Sequence, residues 1–227
     1  MNPIQIAIDG PSGAGKSTMA KYISQNLGIM YLDTGAMYRA VALKALRLGL
    51  DTKNDEQITN LIPNVDVAIN YDKGQKVFLD GEDVTHLIRT NEVSMGASDV
   101  SAFPKVREKL VELQQAIASN NSVVMDGRDI GTHVLPHAKI KIFLTASVHE
   151  RAKRRFEELK QKGLLNKTFE ELVKEIETRD YNDSNREASP LKRAEDAILV
   201  DTSELSEEES IYRIMEIIRT RLEEDVI

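Results

Sequence analysis

IAIDGPSGAGKSTMA, residues 6–20, decides how the rest of the chain is read. An apolar run ends at Asp9, and a glycine-rich turn follows. Lys16-Ser17-Thr18 then opens a segment whose Ala20, Ile23 and Leu27 share a helical face. Gly10–Ser17 matches G-x-x-x-x-G-K-[ST] in full, with a strand before it and an amphipathic helix after it, the context the motif requires. Gly10, Gly13 and Gly15 permit backbone conformations and close approaches that a Cβ would block. The loop's N–H groups then face inward at the positive end of the helix. Lys16 is placed to reach the β- and γ-phosphates, and the Ser17 hydroxyl to ligate Mg²⁺. Gly10, Pro11, Ser12, Gly13, Ala14, Gly15, Lys16, Ser17 and Thr18 are therefore expected to hold ATP, with the metal at Ser17.

Outward from this loop, strands and helices alternate, which predicts an α/β fold: a central parallel sheet flanked by helices. IQIAID and GIMYLD read as the first two strands, and Tyr38, Val41, Ala42 and Ala45 as the next helical stripe. The middle departs from this order. VDVAINYDKGQKVFLDGEDV carries β-branched residues around the turn signal Asp72-Lys73-Gly74, which predicts a small antiparallel insert over about 64–85. Helical patterns resume at NEVSMGASDV and at PKVREKLVELQQAIA, where Val106, Leu110, Leu113 and Ile117 share a face. SVVMD and KIKIFL are strands. A charged helix over 147–162, a loop QKGLLNKTF, a second charged helix, the strand AILVD and a terminal helix with Ile211, Ile214, Met215 and Ile218 complete the chain.

The 227 residues carry a formal net charge of −7, which argues against non-specific binding to nucleic acid. No cysteine is present, so disulfides, thiolate metal sites and Cys nucleophiles are excluded. The first residues lack a basic leader, and no apolar run is long enough to span a bilayer. The expectation is a cytoplasmic protein, monomeric, with no membrane or nucleic-acid partner.

Three classes share the phosphate loop. A GTPase switch would need D-x-x-G and N-K-x-D; neither occurs. A motor or transporter ATPase would carry a longer domain and an acidic pair at a strand end, whereas Asp126 is followed by Gly127 and Arg128. A small-molecule kinase needs a second anionic site beside the loop. Arg39 in YLDTGAMYRA and Arg128 in DGRDIGT both follow strands, at the edge where open α/β sheets bind ligands. The helix TFEELVKEIETRDYNDSNR turns from an apolar stripe of Phe169, Leu172, Val173 and Ile176 to Arg179, Asp183 and Arg186 on the same face. Arg151, Arg154 and Arg155 stand at i, i+3 and i+4 before the QKGLLNKTF loop, the layout of a lid closing over phosphates. Taken singly, each of these arginines also suits a solvated surface.

With these residues in view the sequence resembles the bacterial-type cytidylate kinases. The resemblance rests on IAIDGPSGAGKST, LDTGAMYR, GEDVTHLIRT, AFPKVRE, DGRDIGT, KIFLTAS, ERAKRR, RDYNDSNR and SPLKRAEDA, across nearly the whole chain. It implies the P-loop kinase fold in one domain over 1–227. Residues 1–63 and 102–227 would be core, 64–101 an inserted nucleoside-monophosphate-binding part, and about 152–168 a helical lid. It implies transfer of the ATP γ-phosphate to CMP or dCMP. Arg39, Arg128 and Arg186 would hold the acceptor phosphate, and Tyr38 would be among the CMP-binding residues. Thr34, Arg179 and Asp183 would hold the ribose, and Ser98, Arg107 and Asp129 would read cytosine. Lys16, Arg128, Arg155 and Arg186 would be catalytic, and Arg151 and Arg154 would join the ATP side. Thr34 stands where some members carry Ser. The base assignment has chemical sense: Arg107 only donates and suits O2 and N3, whereas Asp129 and Ser98 can accept from the C4 amine. Uracil would leave these groups mispaired. A nucleotide-sensing module, or a kinase for another base such as UMP, remains the alternative.

Overall fold

The computed structural model describes residues 3–71 and 74–223. In chain order the elements are β1 (Gln5–Asp9), α1 (Lys16–Leu27), β2 (Met30–Asp33), α2 (Thr34–Arg47), α3 (Asp55–Leu61), β3 (Val67–Tyr71), β4 (Gln75–Leu79) and β5 (Glu82–Asp83). There follow α4 (Asn91–Val100), α5 (Pro104–Asn120), β6 (Val123–Gly127), β7 (Ile140–Thr145), α6 (Val148–Gln161), α7 (Phe169–Asn185), β8 (Ile198–Asp201) and α8 (Glu207–Glu223).

A parallel sheet of order β2-β6-β1-β7-β8 forms the centre. Its strands read as continuous apolar runs because both faces are covered. Successive residues serve opposite cores: Ile6 and Ile8 meet α1 and α8, through Met19, Ala20, Ile23, Ile214 and Ile218, while Ala7 faces the α2 side. The second core takes in Met37, Val41 and Ala45 of α2 together with Val93, Ala97 and Val100 of α4. It continues into the small antiparallel sheet β3-β4-β5 through Val67, Val77 and Leu79, so the insert shares its core with α2. Asp72 and Lys73 of the expected hairpin turn lie outside the described residues.

On α5 the buried line is Val106, Leu110, Gln114 and Ala118. Leu113 and Ile117 pack at its side, half-buried, so the face is turned slightly from the one the apolar pattern predicts. The helices α6 and α7 pack chiefly on each other. Their buried Ala152, Leu159, Leu172 and Ile176 lie outside both main cores, with Phe156 edge-on to Phe169. Thr168 and Glu171 close a reciprocal capping box at the start of α7.

Parallel alignment delivers one end of the sheet to the chemistry. In register, Asp9 of β1 stands opposite Gly127 of β6, and Asp33 of β2 opposite Asp126. β1 and β2 end in an aspartate and β6 carries Asp126 one residue before its end, and each strand is followed by a segment that carries candidate site residues. No described helix is long and apolar enough to cross a membrane.

Candidate active site at the carboxyl end of the sheet

The glycine-rich loop leaves β1 at Gly10, whose φ of +148° suits glycine. A Cβ there would fall 1.9 Å from the Leu144 carbonyl oxygen, so only glycine lets the loop pass so close to β7. Gly15, at φ +92°, precedes α1, and no side chain caps the helix. The first-turn N–H groups are therefore left for an anion. Lys16 is 6% exposed and its Nζ donates to the Pro11 carbonyl at 2.7 Å. Burial pushes its pKa well down; Arg128 adds to this and Asp126 opposes it.

The Ser17 hydroxyl donates to Asp126 Oδ2 at 2.8 Å, and the Tyr31 hydroxyl donates to Oδ1 at 3.0 Å. Burial raises the Asp126 pKa, with the Asp33 charge as a second cause. A hydroxyl and a carboxylate side by side at the loop are the hard oxygen donors that suit Mg²⁺, which keeps waters and takes its remaining ligands from phosphates. Among the described residues no cluster of three or more acidic, His or Cys side chains offers a self-sufficient metal site.

On the β2 side, Asp33 caps α2 by accepting from Ala36 N, and its Oδ2 accepts from both Arg39 (2.7 Å) and Arg89 (3.0 Å). The two arginines lower its pKa against the effect of burial. Gln75, at the start of β4, exchanges two hydrogen bonds with the Asp33 backbone and ties the insert to this edge. Thr34 is buried and its hydroxyl donates to the Asp126 carbonyl at 2.8 Å.

Across the crevice, Arg128 Nε donates to Asp183 Oδ2 at 2.7 Å, joining the turn after β6 to α7. Arg179 lies near both Arg128 and Arg39, and burial together with the Arg128 charge lowers its pKa to about 10. The arginines that the sequence places on separate elements thus share one electrostatic neighbourhood.

Arg107 donates to Asp129 Oδ2 through Nη2 and to the Ser101 carbonyl through Nη1, and its guanidinium stands 5.5 Å from the Tyr38 ring centre. Arg186 Nη2 stands 3.7 Å from the other Asp129 oxygen. Ser94 and Ser101 spend their hydroxyls on backbone carbonyls of their own segment. Ser98, half-buried between them on α4, has no side-chain hydrogen bond among the described residues.

Comparison of the whole chain with known proteins shows its family. The cytidylate kinase family model matches residues 6–220. A cytidylate kinase from Caldicellulosiruptor bescii is 54% identical over 96% of both chains, and one from Bacillus subtilis is 48% identical over 96% of this chain and 97% of its own. The chain belongs to the cytidylate kinase family. The fold also resembles that of an uncharacterized protein from Eubacterium ventriosum, with TM-score 0.51 and 12% identity over 95% of this chain and 98% of the other.

Within this cytidylate kinase framework, the three arginines of α6 part ways. Arg151 is 3% exposed, and its guanidinium is spent on Asp180 at 2.6 and 3.1 Å, on the Ser12 carbonyl at 2.9 Å and on the Ala146 carbonyl at 2.8 Å. It braces the back of the phosphate loop, where a lid arginine would need freedom to swing. Arg154 donates to Thr202 at its carbonyl and hydroxyl, beside Gly15. Arg155 alone points outward, paired with the half-exposed Glu158. Shared helical spacing did not give them a shared destination.

Several residues at this sheet end escaped sequence reasoning. Asp126 had a visible signal, an acid at a strand terminus, but the Gly-Arg after it led away from a metal role. Asp33 and Asp9 had the same signal. Arg89 lay inside a recognisable motif without any chemical pattern around it.

Proposed function

We propose that this protein transfers the γ-phosphoryl group of ATP to CMP or dCMP, giving ADP and CDP or dCDP. The observation that carries the reading is a set of orphaned donors. Among the described residues, the buried side-chain polar atoms without a hydrogen-bond partner are Arg39 Nε, Arg107 Nε, Arg179 Nε, Arg186 Nη2 and Gln114 Nε2. All but one belong to arginines of this crevice. Leaving a buried donor unpaired costs roughly 1–3 kcal/mol, and more when it is charged, so such a cluster is what a site built for a dianionic, hydrogen-bond-accepting ligand presents.

The chemistry needs little beyond charge management. The attacking atom is an oxygen of the acceptor phosphate, whose second pKa is near ~6, so it is largely a dianion at neutral pH and needs no general base. The difficulty is to bring two anions into line. In this reading Gly10–Thr18 hold the donor phosphates on backbone amides and Lys16 follows the transferring group. Arg39, Arg128 and Arg186 hold the acceptor phosphate, and Tyr38, against the Arg107 guanidinium, lines the CMP side. Thr34, Arg179 and Asp183 face the ribose. Ser17 and Asp126 would hold Mg²⁺, which when bound offsets charge on the phosphates. Arg155 belongs to the closing lid, about 152–168, which excludes water from the transfer. Arg154 borders the ATP side, and Arg151 supports the loop from behind. The inserted part, 64–101, closes the acceptor side.

The base is read by Asp129 and Ser98 accepting from the C4 amine and by Arg107 donating to N3 and O2, a pattern that uracil reverses at two positions. We further propose that the enzyme is a monomer of the cytoplasm that binds ATP and CMP or dCMP. The test is ADP formation by the purified protein with ATP, Mg²⁺ and a panel of nucleoside monophosphates. Turnover with CMP and dCMP far above UMP, AMP and GMP is expected. ATP binding without any acceptor-dependent ADP would mark a sensing module and refute the reading.

A further inference from the structure

Asp9 takes no part in the scheme above, yet both of its carboxylate oxygens are engaged. It closes β1 immediately before Gly10 and is 4% exposed. Its Oδ1 accepts the N–H of Ile130 at 2.8 Å, and its Oδ2 accepts the N–H of Gly131 at 2.7 Å, across more than a hundred residues of sequence. These amides are the first two after Asp129, where the chain enters a wide π-type turn over Ile130–Val134. The opening amides of such a turn have no partner within it, and buried amides must find one. One carboxylate satisfies both.

The contact leaves the turn little freedom. A Cβ on Gly131 would stand 3.3 Å from Asp9 Oδ2 and 3.2 Å from Lys141 Cδ, so the backbone is pressed against the carboxylate. Lys141 passes alongside with its ammonium committed to the Pro136 carbonyl and to Asp196. Asp9 therefore joins two loops directly: Gly10 begins the phosphate loop on one side, and on the other its carboxylate fixes the segment that carries Arg128 and Asp129.

We propose that Asp9 is a positioning residue that holds the Arg128–Asp129 turn in register with the phosphate loop, and that base selectivity depends on it although it touches neither nucleotide. The chemistry asks for aspartate. Asparagine would offer one acceptor oxygen and set an NH₂ against the second N–H. The proposal rests on the CMP reading of the site.

The experiment compares wild type, Asp9→Asn and Gly131→Ala. Three readouts are used: KM for CMP and for ATP, the ratio of kcat/KM for CMP over UMP, and amide hydrogen exchange at Ile130 and Gly131. For Asp9→Asn we expect KM for CMP to rise tenfold or more and the CMP-over-UMP ratio to fall tenfold or more, while KM for ATP changes less than threefold. Exchange at Ile130 and Gly131 should quicken by at least tenfold, with β1 and β6 unaffected. Gly131→Ala keeps the carboxylate but crowds it, so it should shift the same quantities in the same direction by less, and it decides the matter if Asp9→Asn does not fold. A folded Asp9→Asn with the wild-type CMP KM and selectivity overturns the proposal. So does a loss of protection spread evenly over the sheet with CMP and ATP affected alike. If wild type fails to phosphorylate CMP, the functional reading falls instead, and unchanged exchange at the two amides would still overturn the positioning role by itself.

Discussion

Removal of either member of the Arg107–Asp129 pair tests both the energetics and the base-reading geometry. The two side chains are 4% and 7% exposed. Arg107→Ala leaves the Asp129 carboxylate buried, with Arg186 Nη2 at 3.7 Å as the remaining nearby cation. It also removes the donor to Ser101 and the cation over Tyr38. Breaking a buried ion pair from one side costs about 3–5 kcal/mol, because a desolvated charge is left without its partner. Asp129→Ala should cost a similar amount for the opposite reason: two buried guanidinium groups lose their shared carboxylate. The double variant removes the pair's charges together, so its cost should fall short of the sum by roughly 2–3 kcal/mol. A domain with about 5–15 kcal/mol of stability survives each single change, so urea unfolding of wild type and the three variants can measure the cycle. In the same proteins the CMP-over-UMP ratio of kcat/KM should fall by roughly tenfold or more while ATP binding changes little. Single costs below about 1 kcal/mol that simply add would refute the buried-pair argument. Loss of ATP binding with CMP preference intact would refute the base assignment.

Lys16→Ala should abolish transfer while leaving the fold at least as stable, since the ammonium is buried with its pKa depressed by desolvation and by Arg128; retained turnover would refute its role at the phosphates. Arg151→Ala should destabilise the protein by about 2–5 kcal/mol by leaving Asp180 and two carbonyls short of a donor, whereas Arg155→Ala should lower kcat with stability changed by less than about 1 kcal/mol. Equal stability losses in the two would contradict the division of roles along α6. Burial raises the Asp9 pKa from 3.8 to about 6, with the Asp129 charge adding to this and the two amides and Lys16 opposing it. Between those values the folded state binds the extra proton, so this group's contribution to stability is largest at low pH and is lost as pH rises through about 6. Asp9→Asn should therefore remove a negative slope of stability against pH in that window; identical slopes in urea titrations of the two proteins would refute the shifted pKa.

The sequence alone determined the phosphate loop, the alternation of strands and helices, the antiparallel insert and the residue types of an anion site. These are local properties. Glycine spacing, the two-residue and 3.6-residue periods and turn chemistry act over a few positions, and a reader of the string sees them directly. The family resemblance added a role for most site residues, but no partner for any of them. Tertiary structure decided the partners. The order β2-β6-β1-β7-β8 is not written in any local period, yet it sets Asp33 beside Asp126 and brings Asp9 to the amides of Ile130 and Gly131. It likewise decides that Arg128 meets Asp183, that Arg107 meets Asp129, and that Arg151, Arg154 and Arg155 leave one helix face for three different neighbours. Pairings such as Arg107–Asp129 and Arg128–Asp183 depend on where the chain returns, and the burial that strengthens them exists only once the fold has closed.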